Sequence, residues 1–387
     1  MSDDGQDIAS NIATTIAEYS TQGIHRTGTE VDQSSADWLA TKIRQMGITP
    51  QLDAFDLSRV EVHDARLILG ELQLIGVPLF DGGFSGPAGI TGSLGPLGSE
   101  ADIGVAMVPP YENSEKVRAV LAQRQTEHHR AILLVTDQQL PPGVATLNAE
   151  SFLHPFGPPV LQLGGEHWPL LLDAIEGGRQ GTVVVDCSYV PSQAFNVQAT
   201  VVGSQPALAP IVVMTPRSGW WACASERGGG IAAWLEMLRA VYAAGSLRTF
   251  VFTANSGHEL GHLGMRHFLA GSADLVSESG MWVHLGANFA AGNDNQVILQ
   301  YSGADTKQLF SPHLRKAGIA ADMELPEGRR PFFEARDIHD LGKQYISIVG
   351  RNKLFHHPND IWPAAVDLPV TVKWVTAFRD LALSLSR

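Results

Sequence analysis

The sequence predicts an α/β protein, a three-layer sandwich with a mixed, mainly parallel sheet and a β-rich inserted domain. The first observation is that buried-strand runs alternate with helical segments from about residue 195 onward. The second is that residues 63–190 contain several strand-like runs separated by Gly and Pro turns, with little helical periodicity. Alternating strands and helices place parallel strands in one sheet that is covered by helices on both faces.

The N-terminal part is predicted to be helical over residues 8–46. Apolar residues recur there at helical spacing, beginning with Ile8, Ile12 and Ile16. The stretch "SSADWLATKIRQMG" begins with Ser residues that favour a helix start and ends at Gly47, which favours a helix end. The following "TPQLDAFDL" alternates in the manner of a strand.

The segment 63–190 is predicted to be a separate β-rich insert. Its strand-like runs are "ARLILGELQLIG", "ADIGVAMV", "RAILLVTD" and "GTVVVDCSYV". We therefore expect two domains, one formed by residues 1–62 together with 191–387 and the other by residues 63–190.

The C-terminal part supplies the strands of the main sheet. "APIVVMTP" and "LRTFVFTAN" have the length of buried strands, and "GGGIAAWLEMLRAVYAAG" between them is a helix that ends at a glycine. Later strands and helices are expected in the following stretches: "SGMWVHLGANFA", "NQVILQYSG", "TKQLFSPHLRKAG", "YISIVG" and "VDLPVTVKWVTAFRDLALSLS". Because sites in such sheets form where strands end, the segments "TPRSGWW", "NSGHELG" and "HLGAN" are candidates for a functional site.

Composition excludes several classes of partner. The 387-residue chain has a net charge of −13 and no run of Lys or Arg, which argues against nucleic acid and anionic membranes. It has no apolar run of about 18 residues, and its acidic start lacks the pattern of a secretory signal. We therefore expect a cytoplasmic protein with a small-molecule or peptide substrate and leave the oligomeric state open. Two cysteines are too few for a disulfide framework, so both are predicted to be buried thiols.

The stretch Ser256–Gly264, "SGHELGHLG", matches the H-E-x-x-H motif of zinc proteases. That motif works inside a helix, where two His at i and i+4 share one face. Here a strand runs almost into His258, and Ser256-Gly257 marks a turn, so the motif is not expected to lie in a helix. An H-E-x-x-H zinc protease therefore remains only a second alternative.

A different resemblance covers nearly the whole chain. The series "PIVVMTP", "SERGGGIAAWLEMLRA" and "RTFVFTANSGHELGHLGMRHFL" resembles the core of the cocatalytic zinc peptidases, which include bacterial leucyl aminopeptidases and glutaminyl cyclases. "YISIVGRNKLFHHPNDIWPAAVDL" is similar to that family's closing strand and its final ligand loop. The resemblance implies the α/β zinc-peptidase fold. It also implies that residues 63–190 correspond to a protease-associated domain.

The resemblance implies a metal site that has lost ligands. Two family ligands fall on Pro216 and Gly286, which offer no side-chain donor, and the Asp that partners the first ligand falls on Ser218. Three ligand positions keep metal-binding residue types, and these are Glu226, Glu259 and His356. They would all bind the same metal, so the resemblance implies one zinc ion rather than two, with one position open for water or substrate.

The family's general base falls on His258, whose neutral imidazole could accept a proton or serve as a further ligand. Five further residues are candidates for substrate binding: Arg217, Trp220, Trp221, His284 and His357. Each candidate also has a structural interpretation. Glu226 could favour a helix N-terminus, Glu259 could form a buried hydrogen bond, and Arg217 could pair with Glu226. His262 could be a packing residue.

Two main functions follow from these residues. The first is a metal-dependent hydrolase or acyl-transfer enzyme that acts on an amide bond of a peptide or small molecule, and this interpretation is favoured because the candidates share one sheet edge. The alternative is a catalytically inactive member of this family that uses the former active-site pocket for binding. Fold by itself does not separate them.

Overall fold

The computed structural model describes residues 3–111, 114–126, 128–292 and 294–387, with side chains from residue 7 onward. The helices are α1 Asp3–Ser20, α2 Glu30–Gln45, α3 Glu115–Thr126, α4 Trp168–Glu176, α5 Gly228–Ala244, α6 Leu263–Gly271, α7 Ala273–Glu278, α8 Ala304–Ala317, α9 Ala335–Asp340 and α10 Leu368–Leu385. The strands are β1 Gln51–Leu69, β2 Leu72–Ile75, β3 Val77–Pro78, β4 Gly86–Pro96, β5 Ile103–Val108, β6 Ala131–Thr136, β7 Val160–Leu163, β8 Gln180–Val201, β9 Ile211–Pro216, β10 Phe250–Asn255, β11 Met281–Leu285, β12 Gln296–Tyr301, β13 Met323–Glu324 and β14 Tyr345–Arg351. None of these helices is long and apolar enough to cross a membrane.

The main sheet is mixed and mainly parallel, which confirms the predicted fold class. Its strands follow the order β13-β12-β14-β11-β9-β10-β8. The central strands β14, β11, β9 and β10 pair in parallel, whereas β12 runs antiparallel to β14 and β8 runs antiparallel to β10. The carboxyl ends of the four central strands therefore meet at one edge of the sheet.

Helices cover both faces of this sheet, and the alternation of side chains along β9 shows how. Val213 packs into the large core formed with helices α1, α2, α5 and α10. Its neighbours Val212 and Met214 point to the opposite face, where they pack with Phe268 of α6 and Ile338 of α9. Both faces of a central strand are thus buried, as expected for a parallel sheet between helical layers.

The N-terminal helical region is interrupted, which corrects the prediction of helix over residues 8–46. Helices α1 and α2 are separated by a turn that contains Gly23 (φ +118°) and Gly28 (φ +76°). Positive φ at these glycines ends one helix and turns the chain before the next begins. Thr29 caps α2, since its side-chain oxygen accepts a hydrogen bond from the Asp32 N–H at 3.3 Å.

The predicted boundaries at residues 62/63 and 190/191 fall inside two long strands. β1 and β8 pair antiparallel along almost their whole length, with a register shift between Val62 and Asp64. Beyond this shift, strands β3 to β7 continue the sheet around hydrophobic clusters separate from the main core. Two helices, α3 and α4, also belong to this region, so it is less purely β than its sequence predicts. The division into two domains remains a prediction.

Candidate functional site

The candidate residues lie where the parallel strands end. Ser218 follows β9, His258 and Glu259 follow β10, and His356 follows β14. Glu226 precedes helix α5, which begins two residues later at Gly228. All five are buried. The sheet topology therefore brings the predicted ligands to one edge, although they come from separate segments of the chain.

An arginine that the sequence analysis did not consider lies at the centre of this group. The Nη2 atom of Arg227 lies 2.9 Å from Oε1 of Glu226 and donates a hydrogen bond of 2.7 Å to Oε1 of Glu259. All three side chains are almost completely buried. The two carboxylates thus converge on one guanidinium group.

Ser218 completes the surroundings of Glu259. Its hydroxyl donates to Oε2 of Glu259 at 2.6 Å and accepts from the backbone N–H groups of Gly257 and His258. The backbone carbonyl of Ser218 accepts from Nε of Arg227 at 2.7 Å. Both oxygens of Glu259 are therefore engaged, one by a guanidinium and the other by a hydroxyl.

His356 lies beside Glu226 as a neutral imidazole. Its Nδ1 is 2.8 Å from the carbonyl oxygen of Thr146, so Nδ1 carries the proton and donates it. Its Nε2 lies 3.5 Å from Oε1 of Glu226, and in the described part of the chain it has no hydrogen-bond partner. Burial first, and then the positive charge of Arg227, lower the pKa of His356 to about 3.

The residues present do not fit a zinc ion at the expected position. Zinc would need the lone pairs of Glu226 and Glu259 at about 2.0–2.2 Å. The guanidinium of Arg227 already lies between these carboxylates and pairs with both. Burial alone would lower the pKa of Arg227, but the charges of Glu226 and Glu259 raise it, so the cation is permanent. The guanidinium of Arg227 and a zinc ion cannot occupy the same space.

The H-E-x-x-H segment does not form the helix that a zinc protease requires. His258–Leu260 is a single 3₁₀ turn, followed by left-handed backbone at Gly261 (φ 72°) and His262 (φ 61°). The rings of His258 and His262 nevertheless stack, with their centroids 5.2 Å apart. Glu259 points to Arg227 instead of lying beside the two histidines.

A second buried cluster surrounds these histidines. Nδ1 of His258 lies 2.5 Å from Oε1 of Glu334, and Nε2 of His284 lies 3.3 Å from Oε2 of the same carboxylate. His262 contacts Asp337 through Nδ1 at 2.5 Å. Ligating atoms of His258, His262 and Glu334 all lie within 4.8 Å of one another, a spacing that could hold a metal ion. Burial alone would raise the pKa of Glu334, but His258 and His262 lower it well below its usual range.

A third group, Cys223, Glu226 and Asp360, is also close enough to hold a metal. Here Asp360 accepts the backbone N–H groups of Ser225 at 2.8 Å and Glu226 at 2.9 Å, which fixes the chain just before α5. Burial raises the pKa of the Cys223 thiol well above its usual value, so it stays protonated and is a poor ligand. We interpret this group as structural.

Arg217, a predicted substrate-binding residue, is engaged by other parts of the protein. Its guanidinium is buried and pairs with Asp32 of α2, with Nη2 at 3.0 Å from Oδ1. It also donates to the backbone carbonyls of Asp32 and Phe195. All of these contacts tie α2 and β8 to the end of β9. These contacts stabilise the fold, and the substrate-binding role of Arg217 stays a prediction.

The other predicted binding residues lie around the site in different ways. Trp220 donates from Nε1 to Asn148 and, with Glu259, lines a small cavity, whereas Trp221 donates to the carbonyl of His356. His284 belongs to the Glu334 cluster. His357 contacts the carbonyl of Pro141 at 3.2 Å and so belongs to the contact with the inserted segment. The two tryptophans thus lie beside predicted ligands, His284 lies in the Glu334 cluster, and the ring of His357 faces the inserted segment.

Sequence reasoning missed Arg227 and Glu334. Arg227 is adjacent to Glu226 in "SERGGG", and this position just before a helix was the available signal. Glu334 lies in the stretch "RRPFFEARD", where no strand end or motif marks it. Only the folded chain brings Glu334 to His258, 76 positions away.

A cavity of about 410 Å³ opens beside the site, between the inserted segment and the carboxyl edge of the sheet. Phe333 and Phe355 form the part of its lining that is nearest to the buried histidines. The Phe333 ring is 5.6 Å from that of His258, and the Phe355 ring stacks on His356 at 3.8 Å. Its volume is within the range of small-molecule sites.

The fold is that of the zinc aminopeptidases, as comparison with solved structures shows. The chain is similar to BSAP, a zinc aminopeptidase from Bacillus subtilis, with 17% identity over 96% of this chain and 94% of that one and a TM-score of 0.76. It is similar to a peptidase M28 precursor from Shewanella amazonensis SB2B, with 15% identity, 99% and 93% coverage and a TM-score of 0.77. An aminopeptidase from Aneurinibacillus sp. strain AM-1 has 14% identity, 98% and 93% coverage and a TM-score of 0.69.

These likenesses establish the fold alone. At such low identity the residues of the site are free to differ. No family model matches the sequence, and no curated protein matches it either. The predicted resemblance is therefore confirmed for the fold. The protease-associated character of residues 63–190 and the roles of the individual site residues remain predictions.

Proposed function

We propose that this chain is a ligand-binding protein on the zinc-aminopeptidase fold, without aminopeptidase activity at the family's metal position. The observation that carries the proposal is the position of Arg227, whose guanidinium lies between Glu226 and Glu259. An arginine in this place does part of what a metal would do for the two carboxylates, because its positive charge pairs with both of them and fixes their geometry. Unlike a metal, it has no empty coordination position and cannot activate water.

Other losses support the same conclusion. Pro216 and Gly286 provide no side-chain donors for a second metal. His258 occupies the position of the general base, yet its Nδ1 is already 2.5 Å from Glu334. The hydroxyl of Ser218 occupies one oxygen of Glu259. Glu226, Glu259 and His258 thus each already contact a charged partner within the protein.

The neighbouring cavity supports binding as the remaining use of the site. It lies at the edge of the sheet where ligands bind in folds of this type, and it is bounded by both the inserted segment and the main sheet. Phe355 connects it directly to His356 by ring stacking. A ligand in this cavity would contact the rim of the former catalytic centre without reaching Arg227.

Zinc binding and hydrolysis test the proposal. Wild type and Glu259→Gln are dialysed against zinc, and bound zinc is measured by mass spectrometry together with hydrolysis of leucine p-nitroanilide. We expect no hydrolysis, and we expect the same zinc content in both proteins. Zinc that is bound by wild type but lost in Glu259→Gln, accompanied by hydrolysis that is also lost, would overturn the proposal.

A second candidate function is a hydrolase with one metal ion at a displaced position. It is favoured by the spacing of His258, His262 and Glu334, within 4.8 Å, and by Nε2 of His258, which among the described residues has no hydrogen-bond partner. The 2.5 Å between His258 and Glu334 is a hydrogen-bond distance, so the pair must open before both could bind one metal. His262→Ala tests this candidate, because it should abolish zinc binding and any hydrolysis only if the displaced site exists.

A further inference from the structure

The cavity beside the site is lined by an unusual concentration of positive charge. Four of its lining residues are arginines, namely Arg118, Arg330, Arg336 and Arg351. Among the described residues that line it, none is Asp or Glu. The whole chain has 40 acidic and 27 basic side chains, so its overall field repels anions. A cavity of the opposite sign in such a protein favours an anionic ligand.

Two of these arginines are available to a ligand. Arg118 on α3 and Arg351 at the end of β14 are both exposed, and neither forms an ion pair with any residue that the structure describes. The other two already have carboxylate partners, since Arg330 pairs with Asp340 and Arg336 pairs with Glu150. The available charges come from opposite walls, one from the inserted segment and one from the main sheet.

Aromatic side chains in the cavity lining orient Arg351. Its guanidinium carbon lies 5.7 Å from the ring centre of Tyr111 and 5.4 Å from that of Phe332. Such stacking leaves the N–H edge of the guanidinium free to bind an oxyanion with two parallel hydrogen bonds. Tyr111 also stacks on Phe355 at 5.6 Å, which in turn packs against Phe333. Flat apolar surfaces thus lie beside a positive charge.

We infer that this cavity binds a small aromatic oxyanion, a molecule with a planar ring and one carboxylate or phosphate group. The ring would lie against Phe333 and Phe355, and the oxyanion would bind between Arg118 and Arg351. The cavity of about 410 Å³ has room for a molecule of that size but not for a folded chain. This inference rests on the proposed ligand-binding function and names the class of its ligand.

The test compares charged and neutral forms of one aromatic compound. Binding of hippurate, the neutral hippuramide and phenyl phosphate to the full chain is measured by calorimetry at low salt. We expect hippurate or phenyl phosphate to bind at least ten-fold more tightly than hippuramide, and the affinity to fall as salt is added. Whichever anion binds more tightly identifies the oxyanion as carboxylate or phosphate.

Variants locate the site. Arg351→Gln and Arg118→Gln should each weaken binding of the preferred anion at least ten-fold, with unchanged thermal unfolding. Arg329→Gln is the matched control, since Arg329 is exposed, adjacent to Arg330 and outside the cavity lining, and it should bind as wild type does. Equal affinity for hippuramide, unchanged binding in Arg351→Gln, or no anion binding at millimolar concentration would each overturn the inference.

Zinc analysis of the same preparations separates this inference from the proposed function. If the anions do not bind and zinc content is the same in wild type and Glu259→Gln, only the ligand class is wrong. If zinc and hydrolysis depend on Glu259, the proposed function itself is wrong.

Discussion

Arg227→Ala gives the sharpest test of how the centre is built. The substitution removes the shared partner of Glu226 and Glu259, together with the hydrogen bond from Nε to the Ser218 carbonyl. Two carboxylates then face each other in a buried place without a cation. Removing one partner of a buried ion pair costs about 3–5 kcal/mol, so the free energy of unfolding should fall by roughly that amount.

The same substitution should create a zinc site at the position that the Arg227 guanidinium occupies in the wild type. With the guanidinium gone, Glu226, Glu259 and Nε2 of His356 face an open space and offer zinc three protein ligands, with water as the fourth. Zinc at 100 times its Kd should then restore about 2.7 kcal/mol of stability. Urea unfolding with zinc and with a chelator measures both effects.

Arg217→Ala is the matched control, since it also breaks a buried arginine–carboxylate pair, with Asp32, but among the described residues no histidine side chain hydrogen-bonds to that pair. It should lose a similar stability, and zinc should not restore it. A loss below about 1 kcal/mol in Arg227→Ala, or equal recovery by zinc in both variants, would refute the reasoning. If recovery persists in the double variant Arg227→Ala/His356→Ala, the zinc binds elsewhere.

Three further predictions concern other parts of the molecule. Ser218→Ala leaves Glu259 and the N–H groups of Gly257 and His258 without their buried partner, so urea unfolding should show a loss of about 1–3 kcal/mol. Gly261→Ala should destabilise by more than about 1 kcal/mol, because φ is +72° and the new Cβ would lie 2.7 Å from the carbonyl of Glu150, whereas the same change at Gly271, which has open space, should cost less. Burial lowers the pKa of His25 to about 3, so the unfolded chain binds one more proton than the folded chain between about pH 6.5 and pH 3. Stability should therefore fall as pH decreases from about 6.5 toward 3, by up to about 1.4 kcal/mol per pH unit from this group, and His25→Gln should show a shallower pH dependence in acid unfolding. Identical pH profiles for His25→Gln and wild type would contradict the last of these.

The sequence by itself determined the fold and the sheet edge at which the candidate residues lie. From "APIVVMTP" onward, apolar runs alternate with helical segments, and this pattern can be read from the sequence. The apolar runs correspond to buried strands such as β9, whose side chains pack on both faces of the sheet. Parallel strands bring their carboxyl ends together, so Glu259 and His356 were predicted to meet and do lie at one edge. Local periodicity also predicted the helices α5 and α10.

Only the tertiary structure decided what occupies that place. Arg227 and Arg217 both lie near the end of β9, and nothing in the local sequence distinguishes their roles. One pairs with Asp32, which comes from the second helix, and the other lies between two carboxylates that are 33 positions apart in the chain. A guanidinium has several rotatable bonds, and its direction is fixed by partners from distant segments rather than by its neighbours in sequence. Glu334 was not predicted for the same reason. A buried charge is recognisable only when the groups that pair with it are in place.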